Sequence, residues 1–372
     1  MARGAPGDPG VPPVLPVTVE LRRVRLPLVR PMVAAHGVER DRDVVLVAAT
    51  LADGSVGWGE CSTLGRPTYT GEWTEAAWWV LRDELAPAAL AGRASGVVGH
   101  PMASASVSTA VLDARLRSVS VNLAASLGAE PGRAVPSTAV SGVQPSVDDL
   151  LRGVAADLAA GHRSVKCKIR PGWDVEPLAA VRSAWPDLAL AADANGAYAR
   201  DDLDRLVSLD RLGLLYLEQP FAPDQLLLSA ELVRSAGTPV ALDESVTSAA
   251  TVDVVVALGA AGVLSIKPAR LGGIAEAVRV AELAVAHGLG AFVGGMLETG
   301  VGRAAALAVA ALPGCDLPTD LGPSSRYFTD DVTERFALDD GTLAVPTGPG
   351  IGVAPDADRL DAATVDHLVL TR

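Results

Sequence analysis

A chain of 372 residues has room for a (β/α) barrel of ~250 residues and a smaller unit beside it. Hydrophobic residues make up 49% and charged residues 20%, ample for a large core, while a net charge of −13 argues against nucleic acid or an anionic membrane surface as partner. The three cysteines, Cys61, Cys167 and Cys315, are too few and too scattered for a disulfide framework or a zinc cluster, so the expected compartment is the reducing cytoplasm.

Residues 1–16 are rich in Gly, Pro and Ala and lack the apolar stretch of a signal peptide, which predicts a disordered leader. Val17–Val29 alternates apolar and polar residues. Val44–Thr50 and Ser55–Trp58 flank Ala52-Asp53-Gly54, a hairpin signal. Glu72–Leu90 and Met102–Leu127 then carry helical spacing. Strands followed by helices predict an α+β capping domain over residues 17–133.

From about Ala134 a short apolar strand followed by an amphipathic helix recurs roughly every 25 residues, the pattern of βα units. The predicted strands are Val135–Val143, Ser164–Ile169, Leu188–Ala192, Leu214–Leu217, Pro239–Leu242, Gly262–Ile266 and Gly290–Val293. They are nearly all apolar, as parallel strands covered on both faces are. An irregular eighth strand near Cys315–Leu321 would close a barrel over residues 134–322. A doubly wound open sheet is the alternative. The barrel is preferred because chemical residues end strand after strand instead of gathering at one switch point. The tail, residues 323–372, is expected to pack back on the capping domain. No apolar run, Ala304–Leu312 included, is long enough to cross a bilayer.

Of the 31 basic residues only three are lysine: Lys166, Lys168 and Lys267. Arginine has replaced lysine wherever a generic cation serves. Arginine does not deprotonate in proteins and lysine can, so these three positions are candidates for work that needs a neutral amine. Lys166 and Lys168 share one face of Val-Lys-Cys-Lys-Ile. Asp193, Glu218, Asp243 and Lys267 close successive strands at intervals of 25, 25 and 24 residues.

Three carboxylates at one barrel mouth repel unless a cation lies among them. Oxygen ligands without His or Cys select a hard ion, Mg²⁺ first and Mn²⁺ as the alternative. Each of the paired lysines would disfavour the charge on the other, leaving one as a base, and Lys267 would approach from the opposite side. That set suits removal and return of a proton next to a carboxylate. Among the five histidines only His36 is placed to face a ligand from the first domain. Gly294-Gly295 would let backbone approach a substrate or make a tight turn.

These strand ends, Lys-x-Lys, Asp-Ala-Asn, Glu-Gln-Pro, Asp-Glu-Ser and Ile-Lys-Pro, resemble the muconate-lactonizing-enzyme subgroup of the enolase superfamily. Gly-Gly-Met-Leu-Glu-Thr-Gly (294–300), Arg-Tyr-Phe (326–328) and Val-Pro-Thr-Gly-Pro-Gly-Ile-Gly-Val (345–353) resemble its o-succinylbenzoate synthase / N-acylamino acid racemase family. So do Leu-Pro-Leu-Val-Arg-Pro (26–31) and Gly-Trp-Gly-Glu-Cys (57–61).

The resemblance implies that Asp193, Glu218 and Asp243 bind Mg²⁺ and that Lys168 and Lys267 face each other across a small carboxylate substrate. Lys166 would tune Lys168, and Asn195 would contact the substrate carboxylate. Ser141, Met296 and Leu297 would line the pocket under loops near residues 31–36 and 57–69. Arg270 has the form seen among racemases. The implied activity is first a lyase, dehydrating a cyclohexadiene carboxylate to o-succinylbenzoate for menaquinone synthesis. N-acylamino acid racemisation is second, with dipeptide epimerisation or cycloisomerisation behind it. An aldolase-type Schiff base at Lys267 is the competing chemistry. A homo-oligomer is compatible with the sequence.

Overall fold

Residue alternation in the first fifty positions builds a sheet that is buried on both faces. The computed structural model describes residues 14–34 and 37–372, so His36 and most of the expected leader lie outside the described residues. Strands β1 (Thr18–Ala34), β2 (Gly37–Thr50) and β3 (Val56–Cys61) pair antiparallel, with the expected turn between β2 and β3 closed by Leu51 N–H donating to Ser55 O. Val45 and Val47 of β2 pack against helices, together with Ala77, Trp78 and Met102. Their neighbours Val44 and Leu46 point the other way and join the core that runs on into the barrel. This period-2 division of Val-Val-Leu-Val lets one strand serve two cores.

The first predicted helix runs from Thr74 to Ala91, with one wider turn over Leu81–Leu85. The second, Pro101–Ser118, ends earlier than its apolar spacing suggests: Ser120 takes φ +55, and a short helix Leu123–Ser126 follows. Helix 101–118 lies against β3 at backbone distance. A Cβ on Gly57 would stand 1.9 Å from Ala114 N, and one on Gly59 would stand 2.0 Å from Ser106 O. Only glycine permits that approach.

The predicted strand 135–143 is split in two. After β4 (Ala134–Pro136) the parallel sheet runs β5 (Thr138–Ser141), β6 (Ser164–Lys168), β7 (Ala189–Asp193), β8 (Leu217–Glu218), β9 (Val240–Leu242), β10 (Val263–Ile266) and β11 (Gly290–Val293) in consecutive order. The segment 317–320 joins its edges. Leu317 and Asp320 N–H donate to Ala291 O and Val293 O of β11, and Thr138 N–H donates to Thr319 O. This is the eighth, irregular wall that the sequence places near Cys315–Leu321.

Ala191, Tyr216, Ala241, Val263 and Phe292 form one apolar cluster from five neighbouring strands, with the Tyr216 and Phe292 rings stacked at 4.9 Å. They fill the barrel floor, as side chains do in a packed barrel. The tail returns through β12 (Thr342–Ala344), paired with β4, and β13 (Thr364–Thr371), paired with β1. No helix among the described residues is long and apolar enough to cross a membrane.

Gly57→Ala is expected to lower stability by about 3 kcal/mol, because the atoms in the way are backbone. Gly54→Ala, at φ +86 with nothing within 4 Å, should cost only about 1 kcal/mol from backbone conformation. Urea midpoints of the two variants check this, and equal midpoints would contradict the close packing of β3 on the helix.

Candidate active site

Strand register sets the site. Lys168 stands opposite Asp193, and Asp193 opposite Glu218, across β6, β7 and β8. Asp243 and Lys267 follow directly after β9 and β10, and Asp320 ends the closing segment. All six therefore gather at the carboxyl ends of the strands. They meet at a cavity of about 110 Å³, whose lining includes Lys166, Lys168, Asp193, Glu218, Lys267 and Asp320. Leu64, Val140, Met296 and Leu297 give it apolar walls.

The charges are paired in a definite order. Lys166 Nζ is buried and donates at 2.5 Å to both Glu218 Oε2 and Asp320 Oδ2, with Asp193 Oδ2 at 3.8 Å. Lys168 Nζ, more open, donates to Asp193 Oδ2 at 2.6 Å and to Asn195 Oδ1 at 2.7 Å. Lys267 Nζ donates to Asp243 Oδ2 at 2.8 Å and Tyr69 OH at 2.9 Å. Arg270 lies behind, with Nη1 on Asp243 Oδ1 and Tyr69 OH, each at 2.6 Å. Gly294 makes this possible: a Cβ there would come within 2.7 Å of Lys267 Cε and Ser265 Oγ. Gly294 thus makes room for the Lys267 side chain, and its neighbour Gly295 lines the cavity.

Burial and neighbours push these groups in opposite directions. Burial alone would lower the Lys166 pKa, but Asp320 and Glu218 more than offset it and hold the ammonium well above the ordinary lysine range. Lys267 is likewise raised, burial being outweighed by Asp243. Mutual repulsion between Lys166 and Lys168 therefore does not govern Lys166, because Asp320 and Glu218 hold its charge and Asp193 lies between the two amines. Burial raises Glu218, and Asp193 raises it further. Asp243 is held far below the carboxylate range, as Arg270 and Lys267 overcome its burial.

Among the described residues no three His, Cys, Asp or Glu side chains already stand in an arrangement that could hold a metal ion, since each predicted ligand turns to a lysine or arginine. The donor chemistry nonetheless fits a hard cation. Asp193, Glu218 and Asp243 are buried oxygen donors, and Glu244 beside them keeps a buried Oε2 with no hydrogen-bond partner. Four cations, Lys166, Lys168, Lys267 and Arg270, face five carboxylates once Glu244 and Asp320 are counted. The balance leaves room for positive charge.

Asn195, Met296 and Leu297 line the cavity as expected of pocket residues. Two expectations need correction. Ser141 is in register with Cys167 on the outer face of the strands, while Val140, opposite Lys166, reaches the cavity. Strand parity decides this, and a one-residue shift turns the side chain to the other face. Arg270 does not line the cavity; its guanidinium is committed to Asp243 and Tyr69.

The sequence reading missed Asp320 and Glu244. Glu244 was signalled by its place in Asp-Glu-Ser, but Asp320 lies on an irregular segment with no strand pattern to mark it. Asn195, Gln219 and Leu297, three non-glycine residues at φ +43, +39 and +57, all sit at this rim, where strained backbone commonly gathers.

Residues 149–359 match the family described as enolase C-terminal domain-like. The chain is similar to an N-succinylamino acid racemase from an Amycolatopsis species, 44% identical over 93% of this chain and 96% of the relative. It is also similar to an o-succinylbenzoate synthase from Geobacillus stearothermophilus, 36% identical over 93% of this chain and 95% of the relative. Of solved structures, an enolase-superfamily protein from Listeria innocua matches with a TM-score of 0.92 at 33% identity, covering 96% of this chain and 99% of the other.

Lys166→Met leaves two buried carboxylates without their shared cation. Measured by urea unfolding in chelator, it should cost about 3–5 kcal/mol, and Lys168→Met, whose side chain is partly solvated, clearly less. Equal losses would show that Lys166 is not the structural cation of the site.

Proposed function

The chain belongs to the muconate-lactonizing-enzyme subgroup of the enolase superfamily, and we propose that it is an enzyme moving the α-proton of a small carboxylate, racemisation being the reaction that its opposed lysines suit and N-succinylamino acids the substrates that the similar racemase suggests. One observation carries this reading. Lys168 lies on the second strand of the barrel and Lys267 follows the sixth, four positions round, and both line one cavity. A substrate α-carbon between them presents one face to each amine.

Lys168 then takes the proton from one face and Lys267 returns one to the other, which inverts the carbon; the opposite hand runs the same path backwards. Asn195 Oδ1 aims the Lys168 amine, and Tyr69 OH aims Lys267. Lys166, fixed between Glu218 and Asp320, serves as a permanent cation rather than a base. Asp193, Glu218 and Asp243 are the residues that would hold Mg²⁺, or Mn²⁺, beside the substrate carboxylate. When bound, the ion supplies positive charge that favours the developing enolate and relieves the acids' hold on the lysine protons.

Dehydration to o-succinylbenzoate is the second reading. It needs only Lys168 as base, with Lys267 as a charge opposite the enolate, and the apolar walls of Val140, Met296 and Leu297 suit a ring. The similar synthase supports it. Dipeptide epimerisation and cycloisomerisation use the same lysines and rest on resemblance alone.

The test runs the enzyme in D₂O on one enantiomer of an N-succinylamino acid and, separately, on the cyclohexadiene carboxylate. Deuterium should enter the α-position of both enantiomers, EDTA should stop the exchange, and Mg²⁺ should restore it. Efficient dehydration without any α-exchange would overturn racemisation. Activity that survives EDTA would overturn the metal assignment and favour a Schiff base on Lys267.

A further inference from the structure

Arg42 on β2 is fully buried, yet among the described residues it bonds to no carboxylate. Its Nη2 donates to Ser62 O at 3.0 Å and Met296 O at 3.1 Å, and its Nε donates to Leu297 O at 3.2 Å. Nη1 has no partner among the described residues. A guanidinium held by neutral carbonyls in a dry site is costly, and such an arrangement persists where the position of those carbonyls matters. Glu60 and Glu298 stand near enough to offset part of the charge.

The segment that Arg42 grips is the apolar wall of the cavity. Leu297 lines it at φ +57, a left-handed conformation that a leucine avoids. The N–H groups of the same segment are held as tightly. Met296 N–H donates to Glu298 Oε1 at 2.7 Å, and Thr299 N–H and hydroxyl both bond to Glu60. Side chains from β2 and β3 of the capping domain therefore grip both polar faces of a barrel loop. Only a planar fork spans three carbonyls on two segments, whereas an ammonium is a point donor.

We propose that Arg42 is a specificity-determining positioning residue: it holds Met296 and Leu297 in the strained conformation that shapes the apolar wall of the substrate cavity. It touches no substrate and acts through Leu297. The proposal rests on the reading of this cavity as the substrate site.

Arg42→Lys tests it. The crystal structure of the variant should show Leu297 released from the left-handed region; a φ still near that of the parent overturns the proposal. For N-succinylamino acids with large side chains KM should rise about tenfold while kcat changes less than about threefold, whereas loss of folded enzyme alone would lower kcat at constant KM and also overturns it. Leu297→Gly supplies the control, since glycine takes φ +57 without strain. The stability lost through Arg42→Lys should be larger in the Leu297→Gly background, because no strain is released there to offset the lost hydrogen bonds. Equal losses in the two backgrounds, or failure of Arg42→Lys to fold in both, assign Arg42 to general packing instead. If the parent turns over no N-succinylamino acid, the proposed reaction fails while the crystallographic and stability arms still decide the role of Arg42.

Discussion

Everything at the barrel mouth follows from the need to keep several buried charges compensated. Strands β6 to β10 each deliver a lysine or an acid to the same rim, above a floor of Ala191, Tyr216, Ala241, Val263 and Phe292. A lone charge there would cost several kcal/mol, so the groups survive only as a set. Lys166 between Glu218 and Asp320 is the centre of that set. It also explains why two lysines on one face of a strand differ in kind: one is locked by two acids, the other is more open and faces the cavity.

The capping domain completes what the barrel begins. Tyr69 reaches Lys267 and Arg270, Arg42 reaches Met296 and Leu297, and Glu60 reaches Thr299. These contacts depend on β3 lying flat against helix 101–118, which Gly57 and Gly59 allow. The apolar wall of the cavity is thus tied to the contact between the two units, while the charged groups sit on and just after the barrel strands.

How much of this was legible in the sequence depended on pattern. Lys168, Asp193, Glu218, Asp243 and Lys267 were visible because each closes or follows an apolar run at a regular interval, in a chain with almost no other lysine. Ser141 was carried over from the family resemblance and is off by one residue: the register of β5 puts Val140 opposite Lys166 and Ser141 opposite Cys167. Asp320 was invisible because the eighth wall is held by a few hydrogen bonds instead of a strand pattern. The pairings of the lysines could not be read at all, since they depend on which acids lie across the barrel. The same holds for Arg42, two of whose carbonyl partners, on Met296 and Leu297, are more than 250 residues away.

The central claim is that Lys168 and Lys267 work on opposite faces of one α-carbon. The most direct measurement is α-proton exchange in D₂O, followed by NMR, for each enantiomer of an N-succinylamino acid with Lys168→Arg and Lys267→Arg. Arginine keeps the charge but cannot act as the base. The account predicts that each variant exchanges one enantiomer only, opposite in hand for the two, with racemisation lost in both. Exchange of both enantiomers by either variant, or of the same one by both, would contradict it.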